Sequence, residues 1–535
     1  MTATATQTAE RTGPVVDTPY GAVRGRYENG IAVFRGIPYA APPFGPHRFR
    51  PPVPPEPWTG VRDALDFGPT APKPPYSDAF AKLLSDPVVP GDDCLNLNVW
   101  TPEPGRGARL PVMVWLHGGA LTRGSSAVPV YDGHAFARDG VVMVSVNYRL
   151  GVEGYGLFPD APVNPGLRDQ LAALRWVHES IEAFGGDPDR ITLFGQSAGA
   201  ISIGALLAVP QAQGLVRRAV LQSGPPEAFD RDKVRRMVRR MATRLKIPAT
   251  AEAFAAVDRE LLLRTQADVG RLSSPVLGGP TFGIVIDGEL VPRDPLEALV
   301  DGEVARGVDL MLGWTRDEYR LWLVPGGLHE RVDRLGAVAL AGAMARCHCG
   351  VEVPRGYRAL HPGAGAAETV GQLVTDHLLR YPLHRLADAR PGTAHVYEFA
   401  WPSNLPDLGS CHALELGFVF VFDTGDIPES AKLAGQGAPQ SLADAMHGAW
   451  VRFAVDGDPG WQPWDDTHPV RIFGEGEPYV VHGARDPEFA LWATDAVAKE
   501  TAARAEGTPP ARSATELRSV VRRRLRRTGD VRRSS

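Results

Sequence analysis

The stretch "ITLFGQSAGA", Ile191 to Ala200, places a serine between two glycines at the end of an apolar, β-type run. The run before Ser197 predicts a strand, and the small-residue segment "AISIGALLA" after it predicts a helix that stops at Pro210. Gly195 and Gly199 lack a Cβ atom, so strand and helix can approach closely around a central residue held in a strained conformation. A Gly-rich loop is the alternative, and the flanking strand and helix favour an exposed nucleophile instead.

A strand that turns straight into a helix at Gly-x-Ser-x-Gly is the nucleophile elbow of the α/β-hydrolases. The N-terminus of the following helix would stabilise negative charge that develops near Ser197. The segment "WLHGGAL", Trp115 to Leu121, follows a strong strand and matches the glycine loop whose backbone N–H groups form an oxyanion hole. We therefore predict Gly119, Ala120 and Ala198 as the oxyanion donors, with a simple strand-ending turn as the alternative for the first loop.

Further patterns around the serine predict an α/β architecture. Strands are expected at "LNLNVW", "LPVMVWLHGG", "VVMVSVNY", "RAVLQSG", "VDLMLGW" and "AHVYEFAW". One amphipathic helix, ended by Gly185-Gly186, is predicted by apolar residues three and four apart: Leu167, Leu171, Leu174, Val177, Ile181 and Phe184. Strands that alternate with helices favour a mostly parallel central sheet flanked by helices. Residues 15 to 65 alternate short β runs with Pro and Gly, which predicts an N-terminal antiparallel hairpin region.

The 535-residue chain is expected to hold one catalytic domain at residues 15 to 500, after a disordered N-terminus at residues 1 to 14. Residues 501 to 535 are Arg-rich and predict a disordered tail. Apolar residues at helical spacing between positions 517 and 525 leave an alternative, a basic amphipathic helix that contacts an anionic membrane or another polyanion.

Composition and charge describe a globular protein with a large core. Hydrophobic residues make up 44% of the chain and the net charge is -5, so nothing indicates a nucleic-acid partner for the main domain. The start of the chain lacks the basic and apolar segments of a secretory signal, and no apolar run reaches the ~18 to 20 residues of a transmembrane segment. Four cysteines are too few to cross-link a chain of this length. We expect a cytoplasmic protein, and its oligomeric state stays open.

The triplet Cys347-His348-Cys349 has residue types that bind metals. A structural zinc site needs about four ligands at characteristic spacings, and no partner pair such as Cys-x-x-Cys lies nearby. We expect a plain loop here, and neither a metal nor an organic cofactor in the protein.

In this fold an acid and then a base histidine follow the nucleophile along the chain. Several histidines beyond the serine have a strand-end or loop setting: His329, His361, His395, His412 and His482. Their positions alone do not choose among them.

Several long motifs in the right order resemble the type-B carboxylesterase family, which includes the cholinesterases and the bacterial p-nitrobenzyl esterases. The match runs from about Gly21 to about Trp464 and is strongest in "FRGIPYAAPPFGPHRF", "DDCLNLNVW", "VSVNYRLG", "GLRDQLAALRWVHESIEAFGGDPDRITLFGQSAGA" and "CHALELGFVF". The resemblance implies an α/β-hydrolase fold and a serine hydrolase that cleaves carboxylic esters without a metal or cofactor.

The resemblance also implies the two partners of Ser197. The family's base lies in a His-x-x-Glu-x-x-Phe-Val-Phe segment, which makes it His412 here. Its acid lies in a Gly-x-x-x-Asp-Glu-Gly segment, which makes it Glu318 in "GWTRDEY". Asp317 is the alternative acid, and a core histidine beside Cys411 is the alternative for His412.

Several departures from the family pattern bear on the site. Tyr319 stands where the family usually has glycine, which would strain the loop if the backbone φ there were positive. Gln196 replaces the usual glutamate before the nucleophile and removes a negative charge from the pocket. The loop of residues 69 to 93 has no tryptophan, and Cys94 lacks the upstream cysteine with which secreted relatives close this loop. Choline-type substrates are therefore disfavoured, because cation binding uses aromatic faces and negative charge.

The implied substrates are neutral carboxylic esters of small to medium size. The His-Gly-Gly-Ala loop resembles a type that is associated with bulky alcohols in related esterases, so esters of branched alcohols are included. Pocket side chains are expected from residues 69 to 93, the region near Phe282, and residues 320 to 350. The alternatives are a carbamate or amide hydrolase with the same triad, and a non-catalytic binding protein of the same fold.

Overall fold

The computed structural model describes residues 13–271, 281–421 and 431–505. The disordered start predicted at residues 1–14 lies almost wholly outside the described residues, as does the basic tail from 506 onward. The helix Asp486–Ala505 continues five residues past the predicted end of the domain at 500, so that boundary falls inside a helix.

An eleven-stranded sheet forms the centre of the molecule. The described residues form fourteen strands, of which eleven belong to this sheet and three, β1, β2 and β5, to a smaller one. In chain order they are β1 Val15–Thr18, β2 Gly21–Arg24, β3 Arg26–Glu28, β4 Ile31–Pro38, β5 Val61–Asp63, β6 Asn96–Thr101, β7 Leu110–Leu116, β8 Val142–Val146, β9 Gly186–Gln196, β10 Arg218–Gln222, β11 Asp309–Thr315, β12 Ala394–Phe399, β13 Pro469–Phe473 and β14 Tyr479–His482. The order in the large sheet is β14-β13-β12-β11-β10-β9-β7-β8-β6-β4-β3. In this order the seven adjacent strands β13, β12, β11, β10, β9, β7 and β8 pair in parallel. The strands outside them, β14 on one side and β6, β4 and β3 on the other, pair in antiparallel orientation. The mostly parallel sheet predicted from the sequence is confirmed.

Helices cover both faces of this sheet. The α-helices are Asp78–Ala81, His134–Arg138, Gly151–Tyr155, Pro165–Ser180, Ala198–Ala208, Arg231–Leu245, Ala251–Ala255, Arg259–Gly270, Pro295–Val300, Arg320–Leu323, Leu328–Leu335, Ala337–Cys347, Glu352–Leu360, Ala366–Thr375, Tyr381–Asp388, Leu416–Val419, Ala431–Ala434, Gln440–Asp456 and Asp486–Ala505. Short 3-10 turns lie at Gly45–His47, Pro129–Tyr131, Ile181–Phe184 and Pro210–Ala212, and a π-helical turn lies at Asp376–Arg380. No helix among the described residues combines the length and the apolar character that crossing a membrane requires.

Strand β7 shows why both faces must be covered. Val112, Val114 and Leu116 point into one buried cluster, whereas Met113 and Trp115 between them point into another. Alternate side chains of a strand lie on opposite faces of the sheet. A strand that is apolar at every position is therefore shielded from solvent only when helices cover both faces. The apolar run that precedes the glycine loop therefore specifies a central strand.

The N-terminal hairpin region is confirmed in part. β1 pairs with β2 and β3 pairs with β4, both in antiparallel orientation. The prediction is wrong for β5, which pairs with β2 in parallel to complete a separate three-stranded sheet. The chain leaves through β3 and β4 before it returns, so no tight turn reverses its direction between β2 and β5.

The triplet Cys347-His348-Cys349 is more than the predicted plain loop. Cys347 is the last residue of the helix Ala337–Cys347, and His348 follows in the left-handed conformation that commonly ends helices. Both cysteines are buried free thiols, as are Cys94 and Cys411.

Candidate active site

Ser197 lies at the junction of β9 and the helix Ala198–Ala208, with φ 55° and ψ -122°. This conformation is costly for a residue with a Cβ, and the surroundings enforce it. The Ser197 N–H donates to the Gln222 carbonyl of the neighbouring strand at 2.8 Å. A Cβ at Gly199 would lie 1.9 Å from the Leu116 carbonyl oxygen, so only glycine lets the helix begin this close to the sheet.

A cavity of about 770 Å³ opens above the serine, within the range typical of small-molecule sites. Ser197, His412, Gly119 and Ala120 line it together. The predicted segments 69–93 and 320–350 contribute part of its other walls, and near Phe282 it is Thr281 that lines the cavity. Further lining residues lie in segments 122–131, 266–271 and 413–417 and at Leu433, which were not predicted from the sequence. The apolar lining side chains include Tyr76, Phe80, Leu83, Leu84, Tyr131, Leu321, Trp322, Leu328, Leu414 and Leu416.

The His412 ring and the Glu318 carboxylate lie in direct contact. Nδ1 of His412 is 2.5 Å from Oε2 of Glu318, and the Thr315 N–H donates to Oε1 at 2.9 Å. Glu318 is fully buried, which by itself raises the pKa of its carboxyl. The charge of His412 and its hydrogen bond outweigh burial, so the pKa of Glu318 is lowered and the group carries a carboxylate at neutral pH.

Asp317, the alternative acid, faces elsewhere. Its carboxylate accepts the Ser410 N–H at 3.0 Å, so it secures the loop before His412 without contacting the ring. Tyr319 has φ -63°, and the expected backbone strain at this non-glycine position is absent. Its buried ring occupies the space beside Gly371, where an added Cβ would lie 2.2 Å from the ring.

The other candidate histidines do not line the cavity. His361 contacts Glu488, His329 lies near Asp333, His482 contacts Thr467, and His395 packs between Phe453 and Trp461. Of the five, His412 alone lines the cavity with Ser197.

The glycine loop after β7 turns its backbone toward the cavity. Gly119 has φ 115° and Ala120 has φ 55°, and the Gly119 carbonyl accepts the Thr122 and Arg123 N–H groups at 3.1 and 3.0 Å. Among the described residues nothing accepts a hydrogen bond from the Gly119 or Ala120 N–H. Ala198 opens its helix, so its N–H has no intrahelical acceptor either.

Buried His117 anchors this loop. Its ring stacks on Tyr148 at 4.4 Å, and the Tyr148 hydroxyl donates to the His117 carbonyl at 2.5 Å. Burial lowers the pKa of His117 to about 3, so its imidazole is neutral. Lys73 ties the predicted loop 69–93 to the same turn by donating to the Gly124 carbonyl at 3.1 Å, while it pairs with buried Asp86.

Two neighbours of His412 were not predicted as its contacts. The side-chain amide nitrogen of Gln196 lies 3.0 Å from Nε2 of His412, and the Trp322 ring lies 4.6 Å from the imidazole. Gln196 was visible as a departure from the family pattern, but its partner is 216 residues away in sequence. Trp322 lies in the short helix Arg320–Leu323 that follows Glu318, and nothing in the sequence marks it as a contact of His412.

A second buried carboxyl lies behind the pair. Burial, followed by the charge of Glu318, raises the pKa of Glu415 to about 8, so this group is protonated at neutral pH. The Gln222 side-chain amide nitrogen donates to Oε1 of Glu415 at 3.3 Å, and the Trp450 indole N–H donates to the side-chain oxygen Oε1 of Gln222 at 3.1 Å. Glu415 therefore adds no second negative charge beside Glu318.

The family model and the similar proteins of known sequence all indicate the same family. The carboxylesterase family model matches residues 12–473. The para-nitrobenzyl esterase of Bacillus subtilis is 36% identical over 469 residues, which cover 85% of this chain and 93% of that protein. The phenmedipham hydrolase of Pseudarthrobacter oxydans is 36% identical over 84% of this chain and 91% of its own length.

Solved structures of such proteins have the same fold. A Geobacillus stearothermophilus carboxylesterase superposes with a TM-score of 0.79 at 34% identity, covering 89% of this chain and 99% of its own. A PNB esterase superposes with a TM-score of 0.78 at 33% identity, covering 90% and 99%.

Proposed function

The chain belongs to the carboxylesterase family, and we propose that Ser197, His412 and Glu318 are the catalytic triad with which it hydrolyses carboxylic esters. The observation that carries the proposal is the 2.5 Å contact of Glu318 with His412 in the wall of the cavity that exposes Ser197. A base held by a buried carboxylate is what a serine hydroxyl needs in order to act as a nucleophile.

In the first half-reaction His412 takes the Ser197 proton while the hydroxyl oxygen attacks the ester carbonyl. Glu318 keeps the ring's Nδ1 protonated and stabilises the imidazolium that forms. The N–H groups of Gly119, Ala120 and Ala198 are the proposed donors to the oxyanion. His412 then protonates the leaving alcohol, and an acyl-serine remains.

In the second half-reaction His412 takes a proton from water, which attacks the acyl-serine carbonyl. The tetrahedral intermediate collapses, the proton returns to Ser197, and the carboxylic acid leaves. The chemistry that these residues provide is complete without a further reacting group.

The lining of the cavity supports neutral esters as substrates. Its walls are mainly apolar, and the charged lining residues are Arg123, Asp268 and Arg271. The Arg123 guanidinium already lies over the Tyr76 ring at 5.2 Å, so that aromatic face has its own cation. Esters with small to medium acyl groups, including those of branched alcohols, are the proposed class.

A reducing compartment such as the cytoplasm is the location that we propose. It is supported by the four cysteines, which are all free thiols and all buried.

The test is hydrolysis of p-nitrophenyl acetate and butyrate by the wild type, Ser197→Ala and His412→Ala. We expect both variants to lose at least about 10³-fold in kcat. Ser77→Ala is the matched control, because Ser77 also lines the cavity but is exposed on the loop 69–93. A fluorophosphonate should label the wild type once, at Ser197. Equal activity of all four proteins, or labelling of another residue, would disprove the proposed nucleophile.

A further inference from the structure

We propose that His384, His468 and Asp486 form a binding site for one divalent transition-metal ion of the zinc class. One ligand atom from each residue can be chosen so that all three lie within 4.8 Å of one another. Two imidazoles and a carboxylate are ligands that suit zinc and its neighbours in the first transition row, whereas Mg²⁺ and Ca²⁺ prefer oxygen ligands.

The individual distances are short enough for an ion to be shared. Nδ1 of His468 lies 2.8 Å from Oδ1 of Asp486, and Nε2 of His384 lies 3.8 Å from the same oxygen. In a tetrahedral zinc site with bonds of ~2.0 Å, ligand atoms are about 3.3 Å apart. The two distances lie on either side of this value, and the third pair of ligand atoms also lies within 4.8 Å.

A second carboxylate faces the far side of both rings. Oδ2 of Asp388 lies 3.3 Å from Nδ1 of His384, and Oδ1 lies 3.6 Å from Nε2 of His468. The Trp464 indole N–H donates to Oδ1 at 3.0 Å and fixes this carboxylate. Histidines that bind metals usually direct their other N–H to a carboxylate, which sets the tautomer and makes the ring a better ligand. Asp388 is placed to do this for both histidines.

His384 provides an independent reason to expect a ligand. Its side chain is 4% exposed, and neither ring nitrogen makes a hydrogen bond with any described residue. Nδ1 has the Asp388 carboxylate 3.3 Å away, whereas the nearest ion-pair distance for Nε2 is 3.8 Å, to Asp486. A buried ring nitrogen without a hydrogen bond is destabilising, because its desolvation is not compensated. Its ring is packed by Phe489 at 4.5 Å and Trp464 at 5.4 Å, so the nitrogen cannot turn toward solvent. A metal at Nε2 would supply the missing partner.

The site lies away from the catalytic cavity. Asp388 ends the helix that precedes β12, and His468 immediately precedes β13, so both lie at the N-terminal edge of these parallel strands. Ser197 lies at the other edge, directly after β9. The ion would join the helices Tyr381–Asp388 and Asp486–Ala505 to the start of β13, and its role would be to stabilise the C-terminal part of the domain.

The experiment uses the full-length chain without a histidine tag, freed of metal by dialysis against a chelator. Titration with Co²⁺ alone should give one equivalent of bound ion with the visible absorption of a low-coordinate nitrogen and oxygen site. Zn²⁺ should displace it and raise the Tm, while p-nitrophenyl butyrate hydrolysis stays the same with and without metal.

Variants assign the site. We expect His384→Gln and Asp486→Asn to weaken Zn²⁺ binding by at least about 100-fold, and Asp388→Asn to weaken it by about 10- to 100-fold. His361→Gln is the control, because His361 also contacts the C-terminal helix, through Glu488, but lies outside the cluster. Retained esterase activity shows that each variant is folded.

The proposal fails if the wild type binds neither Co²⁺ nor Zn²⁺ stoichiometrically. It also fails if binding survives both ligand variants, or if the Co²⁺ spectrum has a thiolate charge-transfer band, which would assign the ion to a buried cysteine instead.

Discussion

The amide nitrogen of Gln196 lies 3.0 Å from Nε2 of His412, on the opposite side of the ring from the 2.5 Å contact with Glu318. In the neutral form of the ring that acts as a base, we infer that Nδ1 donates to the carboxylate, which leaves the lone pair of Nε2 to accept from the Gln196 amide. The nitrogen that we propose as the base therefore has a neutral donor in the resting state. Ser197 has to replace this donor when its proton is transferred.

Replacement of Gln196 by glutamate should move the acidic limb of the pH profile of kcat/KM upward by about one pH unit. A carboxylate beside Nε2 stabilises the protonated ring, which cannot act as a base, so protonation inactivates the enzyme at higher pH. Gln196→Met has similar size and no charge, and its limb should stay near that of the wild type. An unshifted limb in Gln196→Glu would show that this side chain does not face the base during turnover.

The two neighbouring carboxylates should differ strongly in catalysis. Glu318→Gln removes the charge that orients and stabilises the His412 ring, and we expect kcat for p-nitrophenyl butyrate to fall by about 10⁴-fold. Asp317→Asn retains an oxygen acceptor for the Ser410 N–H, so kcat should change by less than about tenfold. Comparable losses in the two variants would contradict the proposed acid.

A methyl group at Gly119 should disrupt the proposed oxyanion loop. Its Cβ would lie 2.3 Å from the Arg123 carbonyl oxygen, which forces the turn to move, and loss of one oxyanion donor costs about 10² to 10³ in kcat. Gly107→Ala is matched, because Gly107 has φ 113° but open space around it. Gly107→Ala should reduce stability alone, and a similar fall of kcat in both variants would count against the assigned donors.

The contact between Tyr319 and Gly371 should be needed for both stability and activity. Gly371→Ala inserts a Cβ 2.2 Å from the buried ring, and such overpacking typically costs about 1 to 3 kcal/mol of unfolding free energy. Since Tyr319 follows Glu318, we also expect kcat to fall. Gly342→Ala adds a methyl to a helix where nothing lies within 4 Å, and should stabilise by about 0.5 to 1 kcal/mol. The measurements are denaturant unfolding and kcat of both variants. Unchanged stability and kcat in Gly371→Ala would contradict the predicted role of this contact.

The raised pKa of Glu415 should make stability fall with increasing pH. The unfolded state loses this proton near the ordinary value of 4.5, whereas the folded state retains it up to a pKa of about 8. Stability from this group is fully present below pH 4.5 and is lost as pH rises through 8, by on the order of 1 kcal/mol per pH unit. Glu415→Gln should lack this component, so its unfolding free energy relative to wild type should rise from pH 5 to pH 8. A constant difference would contradict the raised pKa.

Local sequence determined the fold and the nucleophile's setting in this protein. An apolar strand, a glycine-flanked serine and a small-residue helix specify the elbow within about twenty residues, because steric limits on φ, ψ and Cβ act between near neighbours. Alternating strand and helix patterns were enough for the mostly parallel sheet. The parallel pairing of β5 with β2 was not predicted, because it depends on how the residues between them, which include β3 and β4, place β5 beside β2.

Tertiary structure alone decided which distant groups meet. Residue patterns left five histidines open, the family resemblance selected His412, and only the folded chain brings its two ring nitrogens against Glu318 and Gln196, which lie 94 and 216 residues away. The pairing of Tyr319 with Gly371 and the cluster of His384 and His468 are of the same kind. Such contacts depend on packing between separate elements, and neither periodicity nor turn chemistry encodes them.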